Sequence, residues 1–372
     1  MLCTYAWESR LAYPESGIQQ VACFGHSIEC GEQRITENPA GHREDAALYI
    51  SLVTPAAKGS RAGNRATAER WAGLLRKAGH RVRVSLEADG EADLLLALHA
   101  WRSHGAVRRF RQRHPDRPIV LALTGTDIYR FQHSEPQTTL ETMAMADALI
   151  GLHERVTDDI PEYLHGRYHT VYQSAEPLPG RRDPLKRHFE VVVIGHLREE
   201  KDALRAAWAV RSLPESSRIR VLQLGRAHDG TWQARAEEEM AHNGRYRWQG
   251  EVPRWQVRQL MARARVMVMS SIMEGGANVV SEACVAGLPV IASDIPGNVG
   301  LLGADYPGYY PVGDTRALRD QLLRAEQDPD YLATLRHHCE SRAPLFHPDA
   351  EQASLVKVIN AAREQYGEAG SA

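Results

Sequence analysis

Two glutamates with seven residues between them, Glu274 and Glu282, have a type and a spacing suited to binding a polar ligand. They begin and end the segment Glu-Gly-Gly-Ala-Asn-Val-Val-Ser-Glu, which lies between the apolar runs 266–269 and 290–292. This order predicts a strand, a glycine loop, a helix and a second strand. Glycines let backbone N–H groups approach a ligand closely, and a helix N-terminus favours an anion. If the helix begins near Ala277, Glu282 lies between one and two turns into it, so the two carboxylates can hold hydroxyl groups on either side of a diphosphate.

The pair of glutamates also has a simpler explanation, because two carboxylates at this spacing occur by chance on solvated helix surfaces. The adjacent glycines, the flanking apolar runs and the trailing Gly-Leu-Pro at 287–289 favour the ligand site. A diphosphate with hydroxyl groups on both sides is the pattern of a nucleotide sugar. Between the glutamates, the residues assigned to ligand binding are Gly275, Gly276, Ala277, Asn278 and Val279.

Cationic side chains follow another strand predicted in the second half of the chain, over residues 189–195. Ligands of open parallel sheets bind outside the carboxyl ends of the strands, so the loop that begins with Gly195 and His196 is a second candidate. Arg198 can neutralise a diphosphate with a bidentate fork and Lys201 as a point charge. The alternative is that both are cations of a helix surface. The other residues of this half that follow strands and are assigned to ligand binding are Gly225, Arg226, Gln249, Gly250, Glu251 and Val252.

A loop of small and basic residues in the first half, 54–64, separates a predicted strand at 48–53 from a helix. Three cations in and just after it surround a Gly-Asn pair at the presumed start of the helix, which favours an anionic group there. The alternative is a solvated basic loop. The residues assigned to this site are Lys58, Arg61, Gly63, Asn64 and Arg65.

Two further side chains end predicted strands of the first half. His99 follows the strand 94–98, and Asp127, next to Thr126, follows the strand 119–123. Each alone is more often structural than catalytic, but two such groups at strand ends can face one cleft. We therefore include His99 and Asp127 as catalytic candidates and Thr126 as a binding candidate.

The elements that must position these residues alternate between strand and helix from residue 48 onward. Near-continuous apolar strands joined by helical crossovers predict parallel sheets covered on both faces, the α/β class. Pro and Gly at 177–188 predict a linker between two domains, 47–180 and 186–345, followed by a helix over 349–368. Residues 1–46 show no sustained periodicity and are expected to be poorly ordered or to precede the true start.

Length and composition limit the classes to which the protein can belong. The 372 residues suffice for two domains, and 45 Lys plus Arg against 47 Asp plus Glu give a net charge of −2, which argues against a nucleic-acid binder. No apolar run reaches the ~18 residues that span a bilayer, and the first residues do not form the apolar core of a signal peptide. We therefore expect a cytoplasmic enzyme.

Metal binding is not expected from the spacing of candidate ligands. Cys23, His26 and Cys30 form a short cluster that matches no standard zinc pattern. Asp328-Pro329-Asp330 is an Asp-x-Asp, but it lies between late helices, where Asp and Pro are ordinary starting residues. A diphosphate would then be stabilised by protein cations and a helix dipole, without a metal cofactor.

Together these residues resemble the retaining glycosyltransferases of the GT-B fold that carry a Glu-x7-Glu motif, over about 48–365. The resemblance implies two Rossmann-like domains facing across a cleft, an acceptor domain and then a nucleotide-sugar donor domain, with the last helix crossing back to the first. Glu274 would contact the donor sugar and Glu282 the ribose. Residues 195–201 resemble the family's diphosphate-binding stretch, with His196 in place of its arginine and Arg198 as the substitute. Gln249 to Val252 resembles the loop that meets the uracil base.

A narrower resemblance is to the selenosugar synthases of selenoneine biosynthesis. It rests on the segments 54–65, 123–127, 195–198, 274–283, 300–303 and 306–314. It implies that a UDP-sugar, UDP-N-acetylglucosamine or UDP-glucose, reacts with selenophosphate to form a carbon–selenium bond at the anomeric carbon and release UDP. A selenophosphate synthetase and the later selenoneine enzymes would be its partners. Lys58, Arg61 and Arg65 would bind the acceptor's phosphate.

Two alternatives remain at this level. One is an ordinary retaining glycosyltransferase that makes an O-glycosidic bond from a UDP-sugar. The other is a non-catalytic module of the GT-B fold that binds a nucleotide sugar. Both glutamates and Lys201 argue against the second.

Overall fold

A computed structural model describes residues 47–60 and 62–369. The expectations for residues 1–46, for the cluster of Cys23, His26 and Cys30, and for Arg61 concern residues outside those described. Among the described residues, no helix is both long and apolar enough to cross a membrane.

The first sheet has six parallel strands, and we call it with its helices the first lobe. Its strands, β1 to β6 in chain order, are Tyr49–Val53, Arg81–Ser85, Leu94–Leu98, Ile119–Ala122, Ala148–Gly151 and Tyr168–Thr170. The order across the sheet is β2-β1-β3-β4-β5-β6. All five residues of β3 are completely buried, as expected of a strand covered on both faces. The direction of winding reverses between β1 and β3, so the loops after these strands flank a crevice.

Among the described residues, four α-helices follow the strands of the first lobe. They are α1 Gly63–Lys77, α2 His104–Arg113, α3 Gln132–Ser134 and α4 Pro136–Met145. Turns of 3-10 or π helix cover Asp127–Phe131, Glu154–Asp158 and Glu162–Arg167. The apolar face predicted for α1 is confirmed, since Ala68, Trp71 and Leu75 are fully buried against the sheet.

The second sheet also has six parallel strands, and it forms the second lobe. Its strands, β7 to β12, are Phe189–Ile194, Ile219–Leu224, Tyr246–Trp248, Val266–Met269, Val290–Ser293 and Tyr309–Tyr310. Their order is β12-β11-β10-β7-β8-β9, so the winding reverses between β7 and β10. Val266, at the start of β10, pairs with Val191 of β7. The loops at 195–201 and 270–278 therefore leave the sheet side by side. The two-residue strand β12 is too short to be recognised from sequence periodicity.

Seven α-helices cover the second sheet. They are α5 Arg205–Val210, α6 Gly230–His242, α7 Arg254–Arg263, α8 Asn278–Val285, α9 Pro296–Leu302, α10 Thr315–Gln327 and α11 Pro329–Arg342, with 3-10 turns at Glu199–Lys201 and Ala343–Phe346. The side chain of Asp328 accepts hydrogen bonds from the backbone N–H groups of Asp330 and Tyr331. The Asp-Pro-Asp segment is thus a helix start, as predicted.

The last helix, α12, spans Pro348–Ala369 and returns to the first lobe, as predicted. Its Leu355 and Ile359 are fully buried in the same apolar cluster as Trp71. Glu351 of α12 is also buried and accepts hydrogen bonds from Arg70 and Trp71 of α1. Apolar burial and a satisfied buried carboxylate together fix the helix on the lobe that it crosses back to.

Candidate active site

A cavity of about 460 Å3 lies between the carboxyl ends of the two sheets. Its walls come from the loops after β1, β3, β4, β5 and β6 of the first lobe and from the loops after β7, β8, β9 and β10 of the second. These loops include both pairs that flank the reversal points of the two sheets. The cavity is therefore where this topology is expected to place a ligand.

Two glycine loops of opposite lobes meet backbone to backbone beside this cavity. A Cβ atom added to Gly275 would lie 2.4 Å from the backbone nitrogen of Gly125 and 2.4 Å from the carbonyl carbon of Thr124. Gly125 itself has a φ of +114°, a conformation that side chains rarely adopt. Only glycine allows this close approach, so the pair brings the glycine loop of the second lobe against the first.

Glu274 forms an ion pair with Lys201, and both side chains line the cavity. The carboxylate also accepts a hydrogen bond from the hydroxyl of Ser271 at 2.6 Å. The Glu274 and Lys201 side chains are 11% and 19% exposed, so their charges are only weakly screened by solvent. The loops after β7 and β10 thus present one anionic and one cationic group to the same ligand.

Glu282 lies on α8, less than two turns from the residue that precedes the helix, but does not line the cavity itself. Its carboxylate is 3.5 Å from the guanidinium of Arg254, at the start of α7. Burial raises the pKa of Glu282, and the charges of Arg254, Arg258 and Arg70 oppose that rise. The second glutamate is therefore a buried carboxylate surrounded by cations, beside rather than within the cavity.

His196 lines the cavity where the resembling family has an arginine. Its Nδ1 accepts a hydrogen bond from the backbone N–H of Arg226 at 3.1 Å. Burial lowers the pKa of His196; the carboxylate of Glu251 opposes this, and the charges of Arg226, Arg198 and Lys201 add to it. The ring is therefore neutral at pH 7, which leaves Arg198 and Lys201 as the cations of this loop that face the cavity.

His99 and Asp127 shape the first-lobe wall of the cavity. The Asp127 carboxylate is fully buried and accepts hydrogen bonds from the backbone N–H groups of Ala100, Thr124 and Gly125. His99 has a φ of +75°, and its Nε2 lies 3.0 Å from the hydroxyl oxygen of Thr126. Burial lowers the pKa of His99, with the charge of Arg102 adding to this and that of Asp127 opposing it. Asp127 holds the loop, while neutral His99 and Thr126 face the cavity.

The basic loop before α1 contributes differently from the sequence expectation. Lys58 is exposed, and the Nε of Arg65 is 2.7 Å from a carboxylate oxygen of Glu69, one helical turn away. Neither cation lines the cavity, whereas the neutral Gly63 and Asn64 of the same segment do. The cations that the described part of the first lobe contributes to the cavity are Arg102 and Arg130 instead.

The structure brings most of the other sequence-assigned residues together and leaves some outside. Those that line the cavity are Gly63, Asn64, His99, Thr126, Gly195, His196, Arg198, Lys201, Gly225, Glu251, Val252, Glu274, Gly275, Gly276, Ala277, Asn278 and Val279. The described residues that do not line it are Lys58, Arg65, Asp127, Arg226, Gln249, Gly250 and Glu282.

Sequence reasoning missed several polar or aromatic residues of the cavity wall, among them Arg102, Arg130, Phe131 and Gln173. The first three follow the ends of β3 and β4, so the rule that selected His99 and Asp127 could have found them. Phe131 stacks on Trp101 with ring centroids 4.1 Å apart, which joins the two loops. Gln173 follows the short edge strand β6 and carries no motif that marks it.

Comparison with known proteins agrees with this geometry. Residues 181–345, less than half of the chain, match the model of the family described as glycosyl transferases group 1. The second lobe is therefore similar to the domain that this family model describes. In the second lobe, Glu274 and Lys201 lie on the loops at the reversal point of the sheet. No curated protein sequence matches the chain.

Solved structures with similar folds match this chain over both lobes. HepE from Anabaena, solved in complex with UDP and glucose, is 15% identical, with a TM-score of 0.68, and the match covers 84% of this chain and 100% of that one. Sucrose-phosphate synthase from Thermosynechococcus elongatus is 18% identical, with a TM-score of 0.69 and coverage of 84% and 98%. A glycosyltransferase from Rickettsia africae is 12% identical, with a TM-score of 0.67 and coverage of 85% and 98%. The predicted GT-B architecture is thereby confirmed.

Proposed function

We propose that this protein transfers the hexose of a UDP-sugar, UDP-N-acetylglucosamine or UDP-glucose, to the selenium of selenophosphate and releases UDP. The observation that carries the transferase activity is the Lys201–Glu274 ion pair in a cavity that Gly125 and Gly275 close from opposite lobes. The choice of selenophosphate rests on the resemblance to selenosugar synthases. It agrees with cations on the acceptor side of the cavity.

We assign the binding of the UDP-sugar donor to residues of the second lobe. Lys201 and Arg198 would neutralise the diphosphate, and the backbone N–H groups at Gly275 and Gly276 would approach it closely. Glu274 would then exchange its bond to Lys201 for hydroxyl groups of the sugar. Solved complexes of HepE with UDP, and with UDP and glucose, support a uridine nucleotide as the ligand of this fold. We propose that protein cations suffice without a metal ion, so that turnover should persist in EDTA.

We assign the binding of the acceptor to residues of the first lobe. Arg102 and Arg130 line the cavity beside Phe131, and the Nη1 of Arg130 is 3.5 Å from the carboxylate of Glu200 in the second lobe. Two guanidinium groups suit an acceptor that carries a phosphate. An acceptor with only hydroxyl groups would not need them.

The reaction needs little acid–base chemistry from the protein. A lone pair of the selenium forms the bond to the anomeric carbon, and the electrons of the broken carbon–oxygen bond leave with the β-phosphate of UDP. No proton has to be removed from an already anionic selenium, so neutral His99 can serve as a hydrogen-bonding wall. Lys201 and Arg198 would stabilise the charge that develops on the departing diphosphate.

Product analysis decides between the candidate functions. A panel of UDP-sugars is incubated with and without selenophosphate, and the products are followed by mass spectrometry together with released UDP. A selenium-containing hexose product supports the proposal. Turnover only with hydroxyl acceptors would indicate an O-glycosyltransferase, and UDP binding without turnover would indicate a non-catalytic module. Either result would reject the selenosugar assignment.

Loss of the acceptor-side cations should raise the KM for selenophosphate. We expect Arg102→Gln and Arg130→Gln each to raise it about tenfold, because each removes one charge-assisted contact from a partly exposed site. The KM for the UDP-sugar should change less than about twofold. Arg109→Gln is the matched control, since Arg109 is 61% exposed against 58% for Arg130 and does not line the cavity. An unchanged KM for selenophosphate in both variants would place the acceptor elsewhere.

The ribose assignment of Glu282 predicts a specific pH dependence. Glu282→Gln should weaken UDP binding by about 1–3 kcal/mol near pH 7, the range for a hydrogen bond to a charged group. Because burial raises the pKa of Glu282, the carboxylate takes up its proton at a higher pH than an ordinary glutamate does. The difference in UDP affinity between wild type and Glu282→Gln should therefore decrease as the pH falls toward that raised pKa. Calorimetry with UDP on both proteins across pH 5 to 8 measures it, and equal affinities throughout would contradict the assignment.

A further inference from the structure

Gln173 lies in the wall of the cavity and carries a buried hydrogen-bond acceptor that the described residues leave unsatisfied. The residue is 3% exposed and lines the cavity. Its Nε2 donates a hydrogen bond to the hydroxyl oxygen of Thr67 at 2.8 Å, while its Oε1 has no hydrogen-bond partner among the described residues. An unpaired buried carbonyl costs free energy, and a ligand that donates a hydrogen bond to it recovers that cost.

The amide is held rigidly in this position. The backbone N–H of the next residue, Ser174, donates to the buried carboxylate of Glu351 at 2.9 Å. That carboxylate is also bonded to Arg70 and Trp71 of α1, the helix that carries Thr67. Both ends of the amide's support therefore connect to the hydrogen bonds around the buried carboxylate of Glu351. A fixed acceptor loses little entropy on binding, so it can discriminate between ligands by geometry.

Contacts through α1 place this amide near the Glu274–Asn278 loop of the second lobe. Thr67 and Arg70 are three residues apart on α1 and lie on the same face. The Nη1 of Arg70 donates to the side-chain oxygen of Asn278 at 3.2 Å, and Asn278 is the first residue of α8. Gln173 thus lies at the end of the cavity where the Glu274–Asn278 loop lies, within one helical turn of a direct contact between the lobes.

We propose that Gln173 is a specificity-determining residue that accepts a hydrogen bond from a hydroxyl group of the donor's hexose. This assignment rests on the proposed use of a UDP-sugar. The second lobe then binds the nucleotide and diphosphate, while Gln173 of the first lobe accepts a hydrogen bond from one hydroxyl group of the sugar. Thr67 is its positioning residue, because its hydroxyl fixes the other end of the amide.

The test compares the affinity for UDP-glucose or UDP-N-acetylglucosamine, whichever wild type binds more tightly, with that for UDP by calorimetry. Gln173→Met has a similar length and no acceptor, and should lower the ratio of the two affinities roughly tenfold. Gln173→Glu keeps an acceptor at the same place and should keep the ratio within about threefold. Affinity for UDP itself, together with thermal unfolding, shows that each variant is folded.

Deoxy analogues of the UDP-sugar identify the hydroxyl. Removing that hydroxyl should weaken binding to wild type and leave binding to Gln173→Met unchanged, as expected for two partners of one contact. Gln223→Met is the matched control, because Gln223 is 1% exposed and has an unpaired Oε1 among the described residues but does not line the cavity. An unaltered ratio in Gln173→Met, or a Gln173→Glu as impaired as Gln173→Met, would overturn the assignment. A wild type that binds UDP and no UDP-sugar, or neither, would overturn the proposed function and this inference with it.

Discussion

Replacing Lys201 by methionine should lower the turnover number by about 100- to 1,000-fold, which is the usual loss when one preorganised charge is removed from a transition state. Methionine keeps much of the length of the side chain but carries no charge. The Nζ of Lys201 is paired with Glu274 in the cavity and lies within reach of any diphosphate between Gly195 and Gly275. Its loss removes the cation that balances the departing UDP and leaves Glu274 without its ion-pair partner.

Steady-state kinetics of UDP release at saturating UDP-sugar measures this effect. Affinity for UDP should fall less than turnover does, because the charge on the diphosphate is greatest as the bond breaks. Lys186→Met serves as the control, since Lys186 is an exposed lysine in the segment before β7. A turnover number within about threefold of wild type would show that the diphosphate is neutralised by other groups, Arg198 first among them.

Replacing Gly275 by alanine should lower the turnover number by about 100-fold, the order of loss expected when reacting groups are misplaced by an ångström. The added Cβ would lie 2.4 Å from the backbone nitrogen of Gly125 in the opposite lobe, a distance that forces the two loops apart. Backbone atoms cannot turn aside as a flexible side chain can. The two lobes would then be held too far apart for donor and acceptor to meet.

The Gly275→Ala substitution should lower turnover, which requires both substrates, and should leave the binding of the nucleotide alone almost unchanged. UDP affinity of Gly275→Ala should change only a few-fold, because the second lobe holds the nucleotide without the first. Gly244→Ala is a suitable control, as a Cβ at Gly244 meets nothing within 4 Å and its φ is not positive. Wild-type turnover in Gly275→Ala would show that catalysis does not require the contact between Gly125 and Gly275.

Local sequence patterns predict much of this fold because they act within a few residues. Apolar strands such as 94–98 and 266–269, punctuated by glycine and proline, give the alternation of strand and helix and the two parallel sheets. The strand-end rule selects loops rather than individual side chains. It therefore led to His99 and Asp127, yet overlooked Arg102, which is three residues further on in the same wall.

The cations on the acceptor side of the cavity show what local sequence patterns cannot predict. Arg65 and Arg102 are equally basic in the sequence, and both follow a strand. The phase of α1 directs Arg65 toward Glu69, whereas the chain after β3 leaves Arg102 at the cavity. That difference depends on how the loops pack, which no spacing along the chain encodes.

The sequence by itself determined the class of fold and selected the loops at 195–201 and 274–282 as candidate sites, because periodicity and glycine placement are local properties. Only the tertiary structure decided that Gly125 meets Gly275, that Lys201 pairs with Glu274, and that Gln173 carries an unpaired oxygen in the cavity wall. Each of these contacts joins residues more than 70 positions apart or depends on a network across three elements. Such contacts form only when the separately encoded sheets and helices pack against one another.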